Sequence, residues 1–135
     1  MANTNLYFSS APVARDLYIF LNKQPEEYLK YFYPFEFTLE AIEEELQKDK
    51  NIYLTISEDN TIVAFFMLRY TEGYDRATVG YVVDFHRRNK ELGKLGIQYL
   101  KAYCNLNNLK WCVAHIDENN KASVALARAF NIETI

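Results

Sequence analysis

A chain of 135 residues, half of them apolar and including eleven Tyr and nine Phe, holds enough material for one core, is too short for two, and is too rich in aromatics to be disordered. Its net charge of −3 excludes a nucleic-acid binder working by general electrostatics, which needs a net basic face. No apolar run approaches the roughly 20 residues that cross a bilayer and no charged, then apolar leader opens the chain, so a soluble, cytoplasmic protein with no membrane partner is expected.

Leu6 to Ser9 reads as a short strand. Pro12 sits where a first helical turn tolerates it, ahead of Leu17, Ile19, Phe20 and Leu21. A polar stretch, Asn22 to Glu27, leads into an aromatic connection, Tyr28 to Phe37, broken by Pro34. Thr38 caps a second helix with Leu39, Ile42 and Leu46 on one stripe and Glu43, Glu44 and Glu45 elsewhere. Ile52–Ser57 and Thr61–Tyr70, joined by Glu58-Asp59-Asn60, predict a hairpin, and the next strand runs from Tyr74 or Asp75 to Asp84. Leu92, Leu95, Gly96, Tyr99, Leu100 and Tyr103 recur at helical spacing until Asn107-Asn108. Lys110 to Ile116 returns as a strand, Lys121 to Phe130 forms the last helix, and Ile132–Ile135 makes at most one short strand. Cys104 and Cys112 have no metal-ligand spacing and no disulfide density, so both are expected as packed thiols.

The stretch from Val79 to Gly93 carries the chemistry. A β-type run, Val79-Gly80-Tyr81-Val82-Val83-Asp84, enters the basic turn Arg87-Arg88-Asn89-Lys90-Glu91-Leu92-Gly93, and a helix follows. The first N–H groups of a helix have no partner within it, and the macrodipole adds partial positive charge there. Strand, donor-rich turn and helix start therefore build an anion site that suits a pyrophosphate. The segment resembles the GNAT superfamily of acyl-CoA-dependent N-acyltransferases, whose Arg/Gln-x-x-Gly-x-Gly/Ala pattern wraps the coenzyme A pyrophosphate. Arg88 takes the first position and Gly93 the last, while Glu91 stands in place of the middle glycine. A second block, Ala114 to Ser123, is similar to the family's closing strand, loop and helix start. Asn120, Ala122, Ser123 and Leu126 match its Asn-x-Ala-Ser-x-x-Leu pattern, as in the ribosomal-protein N-acetyltransferase-like branch.

The resemblance implies an α/β fold over residues 1–135, a mixed, mostly antiparallel central sheet flanked by helices in the order βααβββαβα. It implies acetyl-CoA as cosubstrate and a primary amine of a small molecule or peptide as acceptor. Free backbone groups near Val82 and Val83 would hold the pantetheine arm and the acetyl carbonyl. Arg88, Lys90 and Lys94 would supply charge to the pyrophosphate, and the N–H groups of Asn89, Lys90, Glu91, Leu92, Gly93 and Lys94 would supply donors. The plainer reading is a buried strand followed by a solvated basic turn. Asn120 either bridges the splayed strands and touches the coenzyme or caps a helix. Seven residues later, where relatives often carry a Tyr acid, the chain has Ala127.

His115 matches the place where some relatives carry a Glu base, and an imidazole titrates near neutral pH; a structural histidine at a strand end is the alternative. Tyr81 either faces the acceptor or fills the core. The aromatics from Tyr28 to Phe37 border the acceptor groove in similar proteins, and Glu36 or Glu40 there would attract a cation. An amino sugar, or next a peptide amino group, is the expected acceptor. An open sheet edge near the C-terminus predicts a homodimer contact. The competing reading is a noncatalytic GNAT-shaped binding or assembly module, its coenzyme site degenerate through Glu91 and Ala127.

Overall fold

Asp59 and Asn60 take positive φ, 50° and 67°, a region that short polar residues tolerate. Two such residues in succession turn the chain with the hand that matches the twist of the strands on either side. They join β2 (Ile52–Glu58) to β3 (Thr61–Tyr70), so Glu58, expected in the turn, ends a strand. The computed structural model describes residues 6–30, 34–48, 51–70, 76–87, 92–106, 111–114 and 133–134.

Around that hairpin lie β1 (Leu6–Ser9), β4 (Arg76–Val83), β5 (Trp111–Ala114) and β6 (Glu133–Thr134), forming one six-stranded sheet in sequence order. The pairs from β1 to β4 are antiparallel, and β4–β5 and β5–β6 are parallel. This is the expected mixed, mostly antiparallel sheet, with β6 as its one short terminal strand. The helix expected over Lys121 to Phe130 lies outside the described residues.

Three helices precede the hairpin where two were expected. Helix α1 (Ala14–Lys23) starts two residues beyond Pro12, and Leu17, Phe20 and Leu21 form its buried stripe. Ile19, named with them from the sequence, is exposed, because it falls about 200° round the helix from Leu17, opposite that stripe. The additional helix is a single turn, α2 (Glu26–Leu29), which follows Pro25. The Pro25 carbonyl accepts from Tyr28 N and Leu29 N, and the fixed φ of proline favours such a start. Helix α3 (Leu39–Leu46) is capped by Thr38, whose side-chain oxygen accepts from Ala41 N at 3.2 Å.

Strand alternation divides the core between two faces. Phe65, Met67 and Val82 join Leu17, Phe20, Leu21 and Ile42 beneath α1 and α3. Phe66, Leu68, Val79 and Val83 join Leu92, Ile97 and Leu100 of α4 (Leu92–Leu106) on the other. Glu45, expected off the apolar stripe of α3, is 3% exposed. Its carboxylate is satisfied by the Tyr53 hydroxyl at 2.5 Å, Lys48 Nζ at 3.0 Å and Arg69 Nη2 at 3.4 Å. Arg69 Nη2 also donates to the Pro34 carbonyl at 3.1 Å, tying the segment before α3 to the sheet. Burial pushes the Glu45 pKa up, but the Tyr53 hydrogen bond with Lys48 and Arg69 outweighs it, so the group is held below its ordinary value. Tyr53 is pushed the opposite way by burial and by the same carboxylate.

Gly96 fixes how closely α4 lies on the sheet. A Cβ at this position would stand 2.1 Å from Phe66 Cζ, well inside the contact distance of two carbons.

Candidate active site at the end of β4

The hydrogen-bond phase of β4 determines which of its backbone groups point to which neighbour. Asp84 N donates to Val63 O at 2.8 Å, and the register continues as Ala64↔Val83, Phe65↔Val82 and Phe66↔Tyr81. Antiparallel ladders alternate between hydrogen-bonded and open pairs. Val82 therefore turns its N–H and C=O toward Phe65, and Tyr81 and Val83 turn theirs away from β3, to the β5 side. The expectation that Val82 and Val83 together present free groups is thus corrected: Val82 is engaged with β3, and the groups on the β5 side are those of Tyr81 and Val83. Between described residues, β5 pairs with β4 only from Arg76↔Trp111 to Val79↔Ala114.

Beyond Val83 the chain makes a 3-10 turn, Phe85–Arg87, held from three directions. Asp84, 3% exposed, accepts from His86 N through Oδ1 at 3.0 Å, the local side-chain turn at which aspartate is favoured. Its Oδ2 lies 3.4 Å from Arg87 Nη1 and 4.0 Å from Lys23 Nζ. Gln24, buried at the end of α1, accepts from Phe85 N at 2.8 Å and donates to Phe20 O at 3.1 Å. Arg87 reaches Glu58 Oε1 through Nη2 at 3.3 Å. This frame delivers the chain to residues 88–91 and then to the first turn of α4. In that turn Leu92 is buried, Lys94 is exposed, and the leading N–H groups have no partner within the helix.

The remaining expected site residues fall as follows. Arg88, Asn89, Lys90, Glu91, His115, Asn120 and Ala127 lie outside the described residues. Leu92, Gly93 and Lys94 form the start of α4. The Tyr81 ring stacks on Phe66, centroids 5.5 Å apart at 15°, and packs against the core beneath α4. Tyr81 thus sits on the face away from α1 and α3. Of the aromatic connection, Phe35 packs against Phe37 and Phe65 and belongs to the core, and Tyr31 to Tyr33 lie outside the described residues. Glu26, Leu29 and Lys30 of α2 line a cleft of about 650 Å3 together with Asn22, Glu36 and Phe37.

Sequence reasoning passed over Gln24, read Tyr28 only as one of the aromatics beside the acceptor groove, and read Asp84 only as the end of a strand; the structure joins all three around the end of β4. Tyr28 Oη donates to Val83 O at 2.6 Å and the ring meets Phe85 edge-on at 5.3 Å. Asp84 carried a readable signal, an aspartate directly after an apolar strand and before a basic turn. Gln24 and Tyr28 carried none, because their partners lie 61 and 55 residues away.

The β5 side of the last residues of β4 lies beside the turn that leads to the start of α4. No group of three or more His, Cys, Asp or Glu that could hold a metal occurs among the described residues, and none of their helices is long and apolar enough to cross a membrane.

Comparison with known proteins agrees with this geometry. The chain is similar to a GNAT-family acetyltransferase from Streptococcus pneumoniae, with 18% identity, TM-score 0.77, and coverage of 93% of this chain and 83% of that one. It is also similar to the ribosomal-protein-S5-alanine acetyltransferase of Vibrio fischeri, with 13% identity, TM-score 0.76, and coverage of 96% and 79%. A third similar structure is the microcin C7 self-immunity acetyltransferase in complex with acetyl-CoA and AMP, with 19% identity, TM-score 0.75, and coverage of 93% and 77%. A search of curated protein sequences finds no match. At these identities the likeness establishes the fold. The family follows from the match of residues 11–132 to the model of the acetyltransferase (GNAT) domain: the chain belongs to the GNAT acetyltransferase family, whose members use acetyl-CoA as cosubstrate.

Proposed function

We propose that this chain transfers the acetyl group of acetyl-CoA to a primary amine of a small molecule, an amino sugar first, or of a peptide. The observation that carries the reading is the β5 side of β4, to which Tyr81 and Val83 turn their backbone groups before the chain runs through a braced turn into the start of α4. Bound acetyl-CoA supplies the activated acyl carbon. The backbone of Tyr81 and Val83 orients it, which places the reacting carbon for direct attack and removes the entropy of encounter. Arg88, Asn89, Lys90 and Asn120 complete the coenzyme site in this reading, with Leu92, Gly93 and Lys94 at the helix start. His115 takes the proton of the incoming amine, which attacks as the neutral base. The cleft lined by Glu26 and Glu36 draws a cationic acceptor toward this end of the sheet. A homodimer contact along the C-terminal edge of the sheet, at β6, is part of the same proposal.

Glu91, in place of the family glycine, favours one other reading, a GNAT-shaped module without turnover. Calorimetry with acetyl-CoA on the native chain and on Arg88→Ala separates them. Micromolar binding that the substitution weakens supports the enzyme and opens a screen of primary amines with His115→Ala as control. No binding up to millimolar acetyl-CoA refutes the acetyltransferase reading.

A further inference from the structure

The Val83 carbonyl oxygen lies where the helical layer meets the β5 side of β4. Strand phase turns it away from β3, and Tyr28 Oη donates to it at 2.6 Å. Tyr28 comes from α2 and packs with the cluster of Leu17, Phe20, Phe65 and Val82, so its hydroxyl arrives from the α1 and α3 face. A carbonyl oxygen has two lone pairs. With one taken from above, the other lies in the plane of the sheet, where an amide running along β4 would place its N–H.

Two donors on one oxygen are close neighbours. With one at 2.6 Å and a second near the ordinary hydrogen-bond length, their heavy atoms are about 4–5 Å apart at the usual acceptor angles. Any amide bound to Val83 O therefore lies beside the Tyr28 hydroxyl. The ring is held in that position: Phe85 packs edge-on against it, Phe85 N is held by Gln24, and the Tyr28 backbone N–H is tied to Pro25 O.

We propose that Tyr28 forms the wall of the coenzyme-arm channel on the α2 side, its hydroxyl sharing the Val83 carbonyl oxygen with an amide N–H of the arm. This rests on the acetyl-CoA reading above and assigns a contact to a side chain distant in sequence from both motif blocks. Tyr28 acts here as a binding and positioning residue. It orients the carbonyl that grips the arm and closes the channel over it.

Tyr28→Phe keeps the ring and removes only the hydroxyl. Calorimetry on the native chain and the variant, with acetyl-CoA and with adenosine 3′,5′-bisphosphate, which lacks the arm, tests the assignment alongside thermal unfolding. The expected result is acetyl-CoA binding weakened about three- to tenfold, because the carbonyl is no longer held in place for the arm. The affinity for the bisphosphate stays essentially unchanged, and the melting temperature falls by about 2–6 °C, the worth of the lost Tyr28–Val83 hydrogen bond. Tyr28→Trp, which keeps an aromatic wall but crowds the channel, should weaken acetyl-CoA by more than tenfold and again spare the bisphosphate. Unchanged or tighter acetyl-CoA binding in Tyr28→Phe, or an equal loss for both ligands, overturns the proposal while leaving the acetyl-CoA reading intact. Failure of the native chain to bind acetyl-CoA overturns both.

Discussion

Gly96→Ala tests how α4 is seated, and with it the placement of the coenzyme's anion site. Alanine in a helix interior gains about 1 kcal/mol over glycine, so on local grounds the substitution stabilises. Packing opposes it. The new Cβ would stand 2.1 Å from Phe66 Cζ and 2.3 Å from Cε1 and Cε2, and contact requires about 3.5 Å, so roughly 1.4 Å must be found. Phe66 cannot yield it, because its ring is fully buried on a central strand and stacked on Tyr81. Helix α4 must lift instead, loosening Ile97 and Leu100 against the sheet. Overpacking costs about 1–3 kcal/mol, and looser packing along the lifted helix adds to it. Together they exceed the propensity gain, and a net loss of about 2 kcal/mol is expected. At about 4 °C per kcal/mol for a domain of this size, Tm falls by about 8 °C. Urea and thermal unfolding measure the loss, and a double-mutant cycle with Phe66→Leu isolates its cause. Shortening the ring should recover at least about 1 kcal/mol of the Gly96→Ala penalty. Gly96→Ala as stable as the native chain, or strict additivity in the cycle, would refute the close-contact reasoning.

Glu45→Gln should destabilise the chain at neutral pH by about 1–3 kcal/mol, since the charges of Lys48 and Arg69 lose their buried partner. Glu45 has a folded-state pKa below its unfolded value of 4.5. Its ionised form thus contributes stability above that pH, and the contribution is lost as pH falls through the folded pKa. The gap between native and variant Tm should therefore narrow below about pH 4.5; a constant gap down to the lowest measurable pH would disprove the assignment. Asn60→Val forces a β-branched residue to positive φ in the β2–β3 turn and should cost about 1–3 kcal/mol in urea unfolding, whereas Asn60→Gly should be nearly neutral. Asp84→Ala removes the partner of His86 N and of Arg87. It should weaken acetyl-CoA binding by calorimetry about tenfold or more through disorder of the turn entering the anion loop, and an unchanged affinity would show that the loop holds itself.

The sequence made the sheet legible because its signals are local. The short apolar run Ile62 to Leu68, rich in β-branched and aromatic residues, and an Asp-Asn turn specify a hairpin without help from the rest of the chain. The stripe of Leu92, Leu95, Gly96, Leu100 and Tyr103 specifies a helix in the same way. What escaped depended on distant partners. Glu45 looks like one of three surface carboxylates until Tyr53 and Arg69 are brought to it from two strands. The single turn of α2 is too short to show a periodicity. In β4 the side-chain pattern gives the faces of Tyr81, Val82 and Val83, but the direction of their backbone groups follows from the phase of pairing with β3, which no residue type encodes. That phase turns the backbone groups of Tyr81 and Val83, and not those of Val82, to the β5 side, for a reason invisible in the sequence.

That phase bears on where charge for the coenzyme comes from. Two arginines stand together at Arg87 and Arg88, and from sequence either could face the pyrophosphate. Arg87 already lies against two carboxylates, Glu58 at 3.3 Å and Asp84 at 3.4 Å, so its field at a distance is largely cancelled. Lys23 Nζ, at 4.0 Å from Asp84, offsets the second carboxylate and keeps the turn near neutral. A bound pyrophosphate would then take little from Arg87 and would depend on the helix start and on charges beyond the turn, of which Lys94 is exposed at the first turn of α4. In the proposed site the charge that offsets Glu91 would then come from Arg88, Lys90 and Lys94 rather than from Arg87. In the proposed site, Glu91 facing solvent would cost roughly 1 kcal/mol at about 4 Å from a phosphate charge, and facing the phosphates in lower dielectric several-fold more, so Glu91→Gly should tighten acetyl-CoA binding measured by calorimetry.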